Sequence, residues 1–284
     1  MRPTPRPTFA RRPLRPVSPL LVAVAAIALA ASPALGWGRI GHRVSARLTE
    51  TLLTPAAKAG VAALLAPGET LADASVWPDE HRRERPESAP WHYINVPITE
   101  PKYDAKYCGA RGCVISKIAD FRARLKDTSA SVEDRREALR FLAHFVQDMH
   151  QPVHVGDRGD RGGNDLQLRF FDAGSNLHRI WDSGLIERAD ADEGRTFDRL
   201  RAAFTPEFVM TAPSPSGPVE SWADESLALA RDAYIDPASG DPLRPGTKLG
   251  DAYQARHLPA AERRVLLASV RLARLLNETF EPAP

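Results

Sequence analysis

Apolar positions recur at helical spacing over most of the chain. Leu139, Leu142, Phe145, Val146 and Met149 fall on one stripe, and Ser131 with Asp134 has the form of a capping box ahead of it. Residues 258–278, LPAAERRVLLASVRLARLLNE, predict a second long amphipathic helix. Thr54-Pro55 opens TPAAKAGVAALLAPG with an N-cap threonine, a proline at the first helical position and Pro-Gly at the far end. Shorter helices are expected near 39–52, 116–127, 177–187 and 218–234. Leu166–Phe171 alternates weakly, as one arm of a hairpin would. No repeat or linker breaks the pattern, and 81–90, 155–164 and 236–248 read as internal loops. The fold class expected is all-α, a single-domain helical bundle.

The first 36 residues follow another rule. Arg2, Arg6, Arg11, Arg12 and Arg15 precede the apolar run Leu20–Ala31, and Ala34-Leu35-Gly36 supplies small residues after it. This is the order of a secretory signal peptide. A membrane anchor or a buried core helix is the alternative, but a run of about twelve residues is short for a bilayer. The expected division is a signal peptide over 1–36, cleaved after Gly36, and a mature domain over 37–284. That implies a periplasmic or secreted protein with Trp37 at its new N-terminus and no stable membrane association after processing.

Charge changes the picture through the same segment. The chain holds 38 Lys and Arg against 36 Asp and Glu, a formal net charge of +2. Five of those bases lie in 1–36 with no acid, which leaves 33 basic against 36 acidic residues, or −3, for Trp37–Pro284. Such a chain does not hold nucleic acid by bulk positive charge. Any chemistry on a polyanion must come from a local site or from bound cations. The composition, 43% hydrophobic over 284 residues, is that of a globular protein able to bury a core. Cys108 and Cys113, in CGARGC, read as a local disulfide after export. A zinc knuckle would need a second cysteine pair.

Histidine and aspartate carry the candidate chemistry. His144 with Asp148, and His178 with Asp182, stand four residues apart, so each pair shares one helix face. His154 follows closely in DMHQPVH. Imidazole and carboxylate suit zinc, and the scarcity of thiols excludes a cysteine-rich site. One such pair can equally lie on a solvated helix face; two pairs with a third histidine nearby favour a metal. His42, Asp79 and His92 are further candidates, each with an ordinary reading as a satisfied histidine or a turn residue. Three histidines are left aside. His81 lies in a charged loop, His257 has no acidic residue near it in sequence, and His150 sits about half a turn off the face of His144 and Asp148. Trp77, Trp91, Trp181 and Trp222 read as packing, and Asn277-Glu278-Thr279 has the form of a glycosylation sequon.

In chain order the motifs WGxxGH, WPDxxR, WHYINxP, HFxxDxHQPxH, GGN and NLHxxWD resemble the single-strand-specific zinc nucleases, the S-one/P-one nuclease family. The likeness runs from Trp37 through WADES at 222–226 and covers nearly the whole mature chain. It implies the helical fold shared with zinc-dependent phospholipase C and a trinuclear zinc cleft, three Zn2+ per chain. Asp79, His92, His144 and Asp148 match the ligands of one zinc. Trp37, through its α-amino nitrogen and carbonyl, matches the second together with His42 and the bridging Asp148. His154, His178 and Asp182 match the third. Arg82 matches an arginine near the scissile phosphate. Tyr93 and Asn95 match the base-binding region, although the family commonly has Asp at the latter position, and Asn164 is a further lining candidate.

The activity implied is hydrolysis of single-stranded RNA or DNA to 5'-nucleotides by a metal-activated hydroxide, with 3'-nucleotidase activity, by a monomer. Arg82 and Asp148 are then the catalytic candidates. Zinc would serve better than magnesium among five imidazoles. Two rivals remain. A zinc phospholipase C shares the fold but generally places Glu where this chain has Asp182, and separates Trp and His more widely than Trp37 and His42. A non-catalytic periplasmic zinc-binding protein would need the ligands without an open cleft.

Overall fold

The computed structural model describes residues 37–212 and 218–281. The signal peptide expected over 1–36 lies outside the described residues. Helices dominate. They are α1 (Arg39–Glu50), α2 (Pro55–Leu64), α3 (Leu71–Glu80), α4 (Val114–Lys126), α5 (Val132–Asp148), α6 (Leu177–Arg179), α7 (Leu185–Ala189), α8 (Glu193–Ala203), α9 (Pro206–Thr211), α10 (Val219–Ala233) and α11 (Asp251–Phe280). A π-helical segment, Ile180–Gly184, joins α6 to α7. The all-α expectation holds, although α3, α8 and α9 are not among the helices expected.

Strand is confined to short pieces. β1 (Val96–Pro97) pairs parallel with β2 (Gly156–Asp157). The expected hairpin arm is β3 (Gln167–Phe170), which runs antiparallel to β4 (Ala173–Asn176) in the register Gln167↔Asn176. β5 (Lys248–Leu249) adds to the other edge of β3 in parallel.

Two apolar clusters fill the interior. One gathers α2, α3, α4, α5 and the C-terminal part of α11, and the predicted stripe Leu139, Leu142, Phe145, Val146 and Met149 is wholly buried in it. The other gathers the hairpin, the α6–α7 segment and the first half of α11 around Trp37, Val44 and Leu48. Each fully buried side chain of this size stabilises the fold by roughly 1.5–3 kcal/mol. Trp181 and Trp222 are fully buried, and Trp77 and Trp91 pack partly buried against the first cluster.

Two helices pass through prolines. α11 starts seven residues before the predicted 258 and continues across Pro259. Tertiary contacts hold the extra turns. Tyr253 Oη accepts from Trp181 Nε1 at 3.0 Å and donates to the Ala233 carbonyl at 2.6 Å. α3 contains Pro78, so Asp79, readable as a turn residue, belongs to the last turn of a helix capped by Thr70 and Asp73. Arg43 of α1 reaches that cap at Asp73 (2.5 Å) and Glu193 of α8 (2.6 Å), tying three helices together.

Cys108 and Cys113 form the expected disulfide. Asn277 is occupied structurally. Its Oδ1 accepts from Thr54 N (2.9 Å) and its Nδ2 donates to the Leu52 carbonyl (3.0 Å), clasping α11 to the start of α2. A glycan on that nitrogen would break the clasp.

Candidate metal centre

Side chains from distant segments converge. α1 supplies His42, α3 supplies Asp79, α5 supplies His144 and Asp148, and α6 with the π-helical segment supplies His178 and Asp182. His92 and His154 close two 3-10 turns, Pro86–His92 and Pro152–His154. These two turns are joined by β1–β2 and by the Ile94 N–H, which donates to the His154 carbonyl at 2.8 Å.

Three groups of donors result: His42, His144 and Asp148; Asp79, His92 and His144; and His154, His178 and Asp182, the donor atoms within each lying inside 4.8 Å of one another. Asp148 is central. Its Oδ2 lies 3.0 Å from both His92 Nδ1 and His144 Nε2, and its Oδ1 lies 3.5 Å from His42 Nε2. Asp79 Oδ1 stands 3.6 Å from His144 Nε2 and 3.8 Å from His92 Nδ1. Asp182 turns one oxygen to His154 Nε2 and the other to His178 Nε2, each at 3.6 Å. His42 stacks on His144 with ring centroids 4.2 Å apart, and His154 on His178 at 4.9 Å. Apart from Asp79, these side chains are no more than 6% exposed.

A second layer orients the rings. His144 Nδ1 donates to the Ser75 carbonyl, His154 Nδ1 to that of His92, and His178 Nδ1 to that of Gly162, each at 2.8 Å. His42 Nδ1 meets Gln147 Oε1 at 2.5 Å, and Gln151 Nε2 donates to Asp182 Oδ1 at 2.6 Å. With Nδ1 protonated, Nε2 presents a lone pair to the centre, as metal-ligating histidines do. Gln147 escaped the sequence reading, and Gln151 entered it only as a motif residue without a role, although both are fully buried.

The arrangement fits cations. His42 Nε2, His154 Nε2, His178 Nε2, Asp79 Oδ1 and Asp148 Oδ1 are buried without a hydrogen-bond partner among the described residues. Orphan acceptors facing one another are costly unless a cation lies among them. The crowding displaces the titrations of these groups in both directions. Burial would raise Asp148, but the neighbouring His144 and His154 outweigh it and leave this carboxylate well below its usual range. Asp182 is instead pushed well above its usual range by burial. Burial would depress His144, yet Asp148 and Asp79 hold it up at about 9, while burial takes His92 down to about 4. Imidazole and carboxylate donors match zinc.

The π-helical segment is a feature the i,i+4 reading missed. It begins between His178 and Asp182, and such segments are frequent at functional sites. The Asp182 carbonyl accepts from Gly38 N at 2.6 Å, and a side chain at Gly38 would meet Ser183 Oγ at 2.0 Å. The segment after Trp37 thus lies close against the third donor group. Trp37 itself is fully buried.

The remaining candidates stand on the chain segments that carry the donors. Along 92–96 burial alternates, so His92, Ile94 and Val96 point inward while Tyr93 and Asn95 are exposed together on the opposite face. Asn164 Nδ2 donates to the Arg161 carbonyl (2.9 Å) in the turn that also supplies the acceptor for His178. Arg82 lies partly buried on the turn leaving α3, its N–H directed at the Asp79 carbonyl (3.4 Å). Of the histidines set aside, His81 caps α3 and stacks on Trp77 at 4.4 Å. His257 is buried, and its Nδ1 lies 3.8 Å from Asp232, an acidic neighbour the linear sequence did not reveal.

A family model described as S1/P1 Nuclease matches residues 37–281. Endonuclease 4 of Arabidopsis thaliana is 32% identical over 285 residues, spanning 88% of this chain and 91% of the relative. Nuclease S1 of Aspergillus oryzae is 28% identical, with 91% and 97% covered. Nuclease P1 of Penicillium citrinum is 36% identical over 160 residues, 54% of this chain and 59% of the relative.

Proposed function

We infer that this chain, which belongs to the S1/P1 nuclease family, is a nuclease that hydrolyses phosphodiester bonds of single-stranded RNA or DNA and acts as a 3'-nucleotidase. The observation that carries the reading is the convergence of three donor groups around Asp148 in one buried centre. The assignment extends to three zinc ions. Asp79, His92, His144 and Asp148 would hold one; His42, Asp148 and the N-terminus of Trp37 a second; His154, His178 and Asp182 the third. Zinc, when bound, supplies charge neutralisation at the phosphate and lowers the pKa of coordinated water to about 7.

The chain's own residues do the rest. Asp148 turns its two oxygens to different histidines, which supports a bridging role rather than proton abstraction. Arg82 would clamp the phosphate through charge-assisted hydrogen bonds. Tyr93, exposed beside His92, would stack an unpaired base, worth roughly 1–3 kcal/mol, with Asn95 and Asn164 hydrogen-bonding its edge. Stacking on an unpaired base accounts for single-strand preference without a basic groove, in keeping with the net −3 of Trp37–Pro284. The family match starts at Trp37, which supports export as a 1–36 signal peptide and maturation at Gly36 to a periplasmic or secreted protein.

The test uses zinc-loaded protein beginning at Trp37. It should degrade single-stranded RNA or DNA faster than duplex, release phosphate from 3'-nucleotides, and lose both activities to a chelator. Cleavage of phosphatidylcholine vesicles but not of nucleic acid would make it a phospholipase. Inertness toward both at full zinc content would make it a binding protein.

A further inference from the structure

His178 is oriented by a turn, and the turn is in turn held by a tyrosine outside the donor set. The turn spans residues 157–165. Gly162 donates its N–H to Asp157 Oδ1 (2.9 Å) and offers its carbonyl to His178 Nδ1 (2.8 Å). Asp157 Oδ1 also receives the Asp160 N–H at 3.0 Å. Gly163 donates to Asp160 Oδ1 (2.8 Å), and that same oxygen accepts the phenolic proton of Tyr234 at 2.7 Å. The Tyr234 ring is almost wholly buried and lies under the Arg158 guanidinium, 4.8 Å from its centroid. Burial, then Asp160, pushes the phenol far above its usual range, so it remains a donor. Arg158 is anchored at the Leu243 carbonyl, 3.0 Å away.

The turn also touches the neighbouring ligand segment. A Cβ on Gly162 would fall 2.3 Å from the Val153 carbonyl, one residue before His154. Of the third donor group the His178 side chain alone takes its acceptor from this turn; His154 takes its own from the His92 carbonyl, and His42 and His144 take theirs from Gln147 and Ser75.

We propose that Tyr234 is a positioning residue: through Asp160 and the glycine turn it fixes the His178 imidazole, and so sets the affinity of the metal held by His154, His178 and Asp182 separately from the other two. The proposal rests on the metal-centre reading above. Removing the phenolic hydroxyl frees Asp160 to turn, the Gly162 carbonyl loses its fixed direction, and only the third subsite loosens. Changes in such outer-layer hydrogen bonds weaken metal binding by about 10–100-fold.

The experiment compares zinc release from wild-type holoenzyme and Tyr234→Phe under chelator competition, with the visible spectrum of the cobalt-substituted forms recorded in parallel. The phenylalanine keeps the ring under Arg158. We expect one metal to leave the variant at roughly tenfold lower chelator activity, with the rest of the release curve unchanged and one cobalt band altered. Asp160→Asn reads the same joint from the other side, should the first variant fold poorly, and should weaken the same metal. A folded variant whose release curve superimposes on wild type, or one in which all metals shift together, overturns the proposal. A wild-type protein that retains no metal fails the centre itself, and does so before any substitution is made.

Discussion

His150 Nε2 lies 2.7 Å from a guanidinium nitrogen of Arg271, facing α11 although Asp148, two residues earlier, faces the donor groups. His150 Nδ1 donates to the Val146 carbonyl (2.6 Å), so Nε2 accepts from the arginine. Arg264 and Arg271 both bind Glu225, and Arg264 Nε also holds the His150 carbonyl at 3.0 Å. Ser226 Oγ donates to the Met149 carbonyl (2.6 Å). The segment leaving the metal-bearing helix is thus pinned by two buried arginines.

Separate roles on one short stretch predict a separation of effects. His150→Ala removes an acceptor from a fully buried guanidinium and leaves a cavity, at a cost of about 2–4 kcal/mol. The metal complement should survive. Asp148→Asn keeps the shape but removes the bridging charge, so zinc and activity should be lost together. Calorimetry with chelator present, which removes metal linkage, and metal analysis of the loaded proteins check both halves. Loss of zinc from folded His150→Ala would assign the network to the centre itself.

How far the sequence could be read depended on whether the signal was local. His144 with Asp148 and His178 with Asp182 were visible because helical spacing alone puts each pair on one face. The stripe from Leu139 to Met149 and the cap at Ser131 were visible for the same reason. His42, Asp79 and His92 gave only motif likeness, since their meeting depends on how α1, α3 and the turn before β1 pack. The acceptors at Ser75 and Gly162 are backbone carbonyls and leave no trace in residue identity. Asp232 lies 25 residues from His257 in sequence but 3.8 Å away in space. Pro259 misled, because burial of Tyr253 and His257 outweighs the lost helical hydrogen bond.

Gly162 and Gly159 both have positive φ, +60° and +81°, yet their surroundings differ. Nothing lies within 4 Å of a Cβ at Gly159, whereas one at Gly162 would collide with the Val153 carbonyl at 2.3 Å. Gly159→Ala should therefore cost only the left-handed penalty, about 1–2 kcal/mol. Gly162→Ala must also move backbone beside His154 and His178. It should cost more than Gly159→Ala in urea unfolding and, unlike that variant, should lower the zinc content. Equal costs and equal zinc would show that the turn yields freely.

His257 gives the fold a pH dependence of definite sign. Burial holds its imidazole down at about 4, with Arg256 adding to the effect and Asp232 opposing it. In the unfolded chain it titrates near its ordinary value of about 6.5. Between those values the unfolded state binds the extra proton, so this contribution is complete above about pH 6.5 and is lost as pH falls toward 4. A shift of this size corresponds to at most about 3 kcal/mol. Urea unfolding of wild type and His257→Leu at pH 7 and pH 4.5, with chelator in every sample, should show a steeper loss in wild type. Parallel losses would place the acid sensitivity elsewhere.

The proposed amino-terminal ligand makes the maturation point a chemical requirement. A free α-amino group has a lone pair for a metal, but an amide nitrogen in a continuing chain does not readily provide one. The Gly38 N–H already reaches the Asp182 carbonyl at 2.6 Å, which brings the end of the mature chain beside the donor groups. One extra methionine before Trp37 would convert that amine to an amide and add bulk at a wholly buried residue. We expect such a protein to fold, to bind one zinc fewer or more weakly, and to lose turnover by at least tenfold, about 1.4 kcal/mol in the barrier. Restoring Trp37 as the first residue by proteolysis should restore both properties in the same sample. Mass spectrometry of the N-terminus, metal analysis and the nuclease rate on matched samples make the comparison. Equal zinc content and equal rates for the extended and trimmed proteins would remove the amine from the centre and leave His42 and Asp148 to hold that metal without it.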